Sequence, residues 1–217
     1  MVRNVKGIAV AALALMAVAA PAKAAMIDFT AYPVGTSGTL TGSVGSIDWT
    51  LTSSRGEIRA PEACTSPVPE LACVNDGLGI SGSEIVGNPA NYIQIVFSRS
   101  VALVATWFLD LFVAQDGSSA EIAYITAGTP GGAPDVTVVA DKVYPGGNGY
   151  RKAEGFRLIG TTFSFFVDPT GNDNIGRPDA ALAAVKIAPV PLPAAGMLML
   201  GALGGLAVLN RRRQRTA

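Results

Sequence analysis

The chain of 217 residues contains no histidine. That absence removes Ser-His-Asp and Cys-His nucleophilic catalysis, His-ligated zinc and histidine acid–base work together. Cysteine is scarce: Cys64 and Cys73 are the only two. Their spacing is not C-x-x-C, and with no histidine to complete a zinc site a redox or metal pair is disfavoured. Positive charge is scarce once the ends are set aside. The chain has sixteen basic and sixteen acidic residues, but seven of the basic ones lie in its first 24 and last 28 positions. Residues 25–189 keep nine against sixteen acids, a net charge of −7. So acidic a body lacks the electrostatic footprint of a nucleic-acid partner. It suits a soluble extracellular domain that takes up divalent cations.

The start of the chain reads as a secretory signal peptide. Arg3 and Lys6 precede an uninterrupted apolar stretch from Ile8 to Ala20, and Ala22-Lys23-Ala24 is an A-x-A site. Cleavage is expected after Ala24, following delivery to the Sec export machinery. The 13-residue stretch is too short for a transmembrane anchor.

The end is VPLPAAGMLMLGALGGLAVLNRRRQRTA, residues 190–217. Its apolar run, 194–209, has 16 residues. At ~1.5 Å per residue it reaches ~24 Å against a hydrocarbon core of ~30 Å, so it spans only marginally. Arg211, Arg212, Arg213 and Arg215 follow directly. The positive-inside rule then puts the C-terminus in the cytoplasm and the body outside. A buried core helix would show a polar face, and this run has none.

The tail Val190-Pro191-Leu192-Pro193-Ala194, an apolar helix and a terminal arginine cluster resembles the PEP-CTERM class of bacterial sorting tails, in its VPLPA form. The resemblance implies a Gram-negative host that makes extracellular polysaccharide. It also implies an exosortase, a membrane protease-transferase that cuts near the pentapeptide. The protein would sit in the inner membrane with its domain in the periplasm before processing, and at the cell surface or in the medium afterwards. The two prolines keep the pentapeptide extended, so an enzyme can read it as a strand. Gly201 and Gly205 form a GxxxG, which alone carries little weight. The rival for the tail is a permanent single-pass anchor with the same topology.

These ends divide the chain into a signal peptide (1–24), one extracytoplasmic domain (25–189) and a sorting tail (190–217). In an oxidising compartment Cys64 and Cys73 are expected to form a disulfide. The body reads as all-β, an antiparallel sandwich of jelly-roll type. Strands are expected at 47–51, 93–97, 101–113, 120–126, 136–140, 156–159, 162–167 and 182–187. The 101–113 run is apolar on both faces except Thr106 and Asp110, which marks a central, bent strand.

Gly77-Leu78-Gly79-Ile80-Ser81-Gly82 matches G-x-G-x-x-G, but it lacks the flanking strand and helix of a dinucleotide fold. The wider stretch, Asp76 to Ile80 followed by Glu84-Ile85, is similar to D-G-L-G-[IV] segments in exported sorting-tail proteins. Asp76 and Glu84 are candidate Ca²⁺ ligands, and so are Asp168 and Asp173 in an oxygen-rich loop that is not an EF-hand. Exported jelly rolls of this look often carry a calcium-binding Asp in a final L-D-N-[IV] strand. Here Leu182-Ala183-Ala184-Val185 lacks it.

Asp110, Glu121 and Glu84 are the carboxylates open to glycosidase chemistry. Asp110, between Phe108 and Phe112, needs a partner if buried, and Arg99 or Arg157 is expected to supply it. Trp49, Trp107, Tyr92 and Tyr150 are candidates for a sugar-stacking face. The expected function is a non-catalytic exported surface or extracellular-matrix protein. The alternatives are a carbohydrate-binding module and a polysaccharide-active enzyme.

Overall fold

The computed structural model describes residues 23–145, 147–171 and 176–190. Ala22, Pro191 to Ala194, the four tail arginines and Asp173 lie outside the described residues. Among the described residues no helix is long and apolar enough to cross a membrane.

The protein is all-β. In chain order the strands are β1 (Ala25–Asp28), β2 (Leu40–Val44), β3 (Ile47–Ser53), β4 (Ile58–Arg59), β5 (Gly79–Ile80) and β6 (Tyr92–Leu109). Then come β7 (Phe112–Val113), β8 (Ile122–Ala127), β9 (Val136–Val139), β10 (Lys142–Val143), β11 (Arg151–Val167) and β12 (Ala181–Pro189). One antiparallel sheet runs β1-β12-β6-β11-β8-β9, with β3 on β6 and β2 on β3. β4 pairs with β5, and β10 makes a short parallel pair with β7.

The strands β6 and β11 organise the sheet. Along one edge of β6, Ile93–Phe97 pair with β3 and Val101–Leu109 with β12, while β11 follows the other edge on both sides of a break at Phe97–Ser100. The expected strands 93–97 and 101–113 are thus joined. Ser98, Arg99 and Ser100 are exposed and include no glycine or proline, so the strand runs on through them although the ladder to β11 skips from Val96 to Val101. The joined strand stops at Leu109, earlier than expected, because Asp110 adopts φ 55. The expected strands 156–159 and 162–167 are likewise one, and Gly160–Thr162 carries only a register shift.

The two apolar faces of Val101–Leu109 have a concrete cause. Leu103 pairs with Ile187 and Ala105 with Lys186, so Val104 is an extra residue. Such a bulge reverses the alternation of faces. Val101, Leu103 and Phe108 enter the main core, with Ile95, Phe163 and Phe165. Ala105, Trp107 and Leu109 enter a second cluster with Val68, Ala181, Ala183 and Ala184.

Cys64 and Cys73 are bonded, with Cα atoms 5.2 Å apart. The loop they close supplies Val68 and Leu71 to the second cluster, so it roofs Trp107. A Cys64→Ser/Cys73→Ser variant is expected to lose roughly 2–3 kcal/mol in urea unfolding, from the entropy of so short a closed loop. Unchanged stability would show that the roof holds without its covalent link.

The first half of β11 is a sheet edge. It carries Arg151, Lys152, Glu154 and Arg157, with a register shift between Glu154 and Leu158. Charges and irregularity of this kind protect an edge from pairing with another chain.

Candidate metal centre

Three segments meet where β6 ends and β12 begins. The first is Asp110. Its N–H donates to the Asn148 carbonyl and that of Leu111 to Gly149, which ties the glycine-rich loop against it. A Cβ on Gly149 would lie 2.5 Å from the Leu111 nitrogen, so only glycine lets the loop close on Asp110.

The second segment holds Asp76. Asn75 is buried; its side-chain amide donates to the carbonyls of Phe29 and Tyr32, and its oxygen accepts from the Gly77 N–H. Two residues after Asp76, Leu78 exchanges both backbone hydrogen bonds with Leu182, each 2.9 Å.

The third segment holds Glu84. The Ile80 N–H donates to the Ser83 carbonyl, and that of Ile85 to Ala180. The turn between them is tight: a Cβ on Gly79 would sit 1.8 Å from the Ser83 carbonyl oxygen. The G-x-G-x-x-G run is therefore a strand and turn that brings Glu84 back towards Asp76. Gly79→Ala is expected to lose roughly 1–3 kcal/mol, as other overpacked sites do, and to weaken any cation response. Thermal melts read both.

Asp76, Glu84 and Asp110 each offer a carboxylate oxygen, and these oxygens all lie within 4.8 Å of one another. Asp76 Oδ1 and Asp110 Oδ2 are closed to solvent and accept no hydrogen bond. Glu84 Oε2 accepts from the Ser83 hydroxyl at 3.1 Å. Burial, then the carboxylates of Asp76, Glu84, Asp179 and Glu62, push Asp110 up to about 8. Burial first, with Glu62 and Glu84, also raises Asp76 against the pull of backbone hydrogen bonds.

The expected arginine partner of Asp110 is not there. The side chains that shift its charge are all acidic, and Arg99 donates to the Ser46 hydroxyl instead. A buried carboxylate oxygen without a donor is unfavourable. A proton or a cation relieves it. Two oxygens bound to one Ca²⁺ at ~2.4 Å lie at most ~4.8 Å apart, so the cluster has a suitable span. A cleft of about 230 Å³ reaches it, lined by Glu84, Asp110, Phe112, Tyr144, Gly176, Arg177 and Asp179.

The remaining sequence candidates have other roles. Asp168 accepts from the Thr170 N–H and hydroxyl and from the Tyr124 hydroxyl. Burial works to raise its pKa, but these bonds outweigh it and hold the carboxyl below the ordinary range. Glu121 is buried as a brace, accepting from the N–H groups of Phe112 and Asp179. Ala183 and Ala184 pack under the disulfide loop, so an Asp at this point of β12 would enter an apolar cluster. Trp49 and Trp107 are both core residues, and Tyr150 packs against the second cluster. Neither tryptophan is available to stack on a sugar.

Reasoning from sequence named Asp76 and Glu84 as ligands but set Asp110 among catalytic carboxylates. The available signal was an acidic residue closing an apolar run in a body short of cations. No protein-family model matches the chain, and neither the curated proteins nor the solved structures contain a match.

Proposed function

We propose that this chain is an exported surface or extracellular-matrix protein of a Gram-negative bacterium, sorted by an exosortase through its tail. Its body is a non-catalytic β-sandwich of jelly-roll type, steadied by a Ca²⁺-class cation at Asp76, Glu84 and Asp110. The observation that carries the reading is the order of the last 28 residues: VPLPA, apolar run, arginines. The body supports it with a disulfide, which suits an oxidising compartment. Two halves of β6 with separate partners support a bent sheet folded into a sandwich.

The three carboxylates supply three oxygens, and water entering by the cleft completes the six to eight that Ca²⁺ takes. Glycoside hydrolysis needs a substrate between two carboxyl groups ~5–10 Å apart. Here one carboxylate oxygen from each residue lies within 4.8 Å of the others, and Asp76 Oδ1 and Asp110 Oδ2 are closed to solvent, which favours an ion over a sugar. Intact mass of protein recovered from the host surface tests the sorting reading. A chain starting at Ala25 and ending near Val190 to Ala194 is expected. Full-length tails on nearly all surface copies would leave the permanent anchor instead.

A further inference from the structure

The disulfide loop and the acidic cluster share a stem. Ala63 and Asn75 form an isolated antiparallel bridge, and the Asp76 N–H donates to the Glu62 carbonyl at 3.3 Å. The stem that carries Asp76 is thus the one that the Cys64–Cys73 bond closes. Its later arm is fixed to the core. The Cys73 N–H donates to the Thr30 hydroxyl at 3.0 Å, and the N–H groups of Val74 and Asn75 donate to the Thr30 carbonyl. Thr30 itself is buried. The earlier arm reaches the other side of the cluster. The Asn148 side-chain amide donates to the Ser66 carbonyl at 2.7 Å, and its oxygen accepts from the Thr65 hydroxyl at 3.3 Å. The Asn148 backbone carbonyl accepts from the Asp110 N–H at 2.8 Å. Asp110 has φ 55, a conformation uncommon outside glycine, and this contact helps to hold it there.

We infer that the Cys64–Cys73 bond sets the cation affinity of Asp76, Glu84 and Asp110: forming the bond tightens the site, and reducing it loosens the site. This rests on the reading of the cluster as a Ca²⁺-class site. The bond ties an arm anchored at Thr30 to an arm that holds Asn148. Through the first arm it fixes Asp76, and through the second Asp110, so it fixes the span between two of the three ligands. Like charges push that span open when no ion is present. With the bond intact, the repulsion works against a closed frame. With the bond cut, residues 64–66 are free to leave Asn148, and the carboxylates separate. A dithiol is the class of reductant. It gives two electrons and two protons and closes to its own disulfide, while the sulfur–sulfur bond breaks and Cys64 and Cys73 become thiols. The coupling is reciprocal. An ion that binds the bridged chain more tightly makes the bridge harder to reduce by the same factor. The cation site is therefore complete only where the bond can form.

The test reads both sides of the coupling on the full chain, at an alkaline pH where the carboxylates are ionised. Titration calorimetry gives the calcium affinity of the oxidised chain and of Cys64→Ser/Cys73→Ser, at a temperature where circular dichroism shows both folded. The oxidised chain is expected to bind at least about fivefold more tightly, the lower end of coupling between linked sites. Lost stability alone does not change the affinity of chains that are still folded. Equilibration of the wild type in dithiothreitol buffers, with calcium or with chelator, reads the other side. Calcium is expected to move the half-reduction point towards more dithiol by the same factor. Asn148→Ala cuts the arm to Asp110, and it is expected to weaken calcium binding by the oxidised chain and to remove most of the factor. Equal affinity with and without the bond overturns the inference, and so does a half-reduction point that ignores calcium. An undiminished factor in Asn148→Ala overturns it too, because the loop then does not act through Asp110. If the oxidised wild type binds no calcium, the cation reading fails and this inference with it, and that first titration alone shows it.

Discussion

Calcium is expected to raise the melting temperature of the purified domain by roughly 5–10 °C at pH 8.5, and Asp110→Asn to abolish the gain. A ligand at a hundred times its Kd stabilises by about 2.7 kcal/mol, and each kcal/mol moves the midpoint of a domain this size by about 2–4 °C. The pH dependence has a definite sign. Asp110 is pushed up to about 8 in the folded chain, above its ordinary value of 3.8. The native state therefore binds the proton more tightly than the unfolded one. In chelator, the contribution of Asp110 to stability is full below pH 4 and lost as pH rises towards 8. Asp76 shifts in the same direction. A bound cation takes the place of the proton and withholds that loss, so the effect of calcium grows from pH 5 to pH 8.5.

Asp110→Asn separates this from a merely structural role. The amide has no charge to repel Asp76 and Glu84, so the chelated variant is expected to melt no lower than wild type at pH 8.5. It should also show a flatter pH profile and no response to calcium. Equal melting of the wild type with calcium and with chelator at pH 8.5 would remove the cation from the proposed function.

Replacing Pro191 and Pro193 with Ala is expected to turn a processed protein into a retained one. In the native host, nearly all of the variant should stay full length in the inner membrane. Proline holds φ near ~−65° and disfavours helix in the residue before it. Alanine is the best helix former, so the apolar run can then extend back through the pentapeptide. The strand-like substrate is lost, and a run that barely spans becomes a longer anchor. Deleting the exosortase should give the same full-length species from the wild-type chain. A variant shortened at the wild-type rate would show that the prolines are not read.

The β architecture was legible because strand-forming residues alternate with glycine- and proline-rich turns. The joining of strands was not. Ser98-Arg99-Ser100 looks like a loop by composition; it has no register partner on β3, β11 or β12, and its side chains bond to the β2–β3 hairpin, the Ser98 hydroxyl accepting from the Asp48 N–H and Arg99 donating to the Ser46 hydroxyl. β1 was missed because Ala25-Met26-Ile27-Asp28 is too short to show alternation, and its partner β12 lies at the far end of the body. The roof over Trp107 shows in sequence only as an apolar stretch without periodicity, since the covering loop is rich in proline and polar residues. The acidic cluster was half legible. Asp76 and Glu84 are close in the chain, whereas Asp110 joins them through Leu78–Leu182 and Leu109–Ala181 pairing.

The place of β12 in the sheet has a mechanical side. It lies between β1 and β6, and it is paired with β6 as far as Pro189. A load applied through the tail pulls along the strand axis, across the hydrogen bonds to both neighbours. Those bonds are strained together, in shear, and do not open one after another as in a peeled edge. If the domain hangs from its tail, as proposed above, drag on the body would meet the sheet along its most resistant direction. The proposed cut near Val190 would leave the same strand end without load.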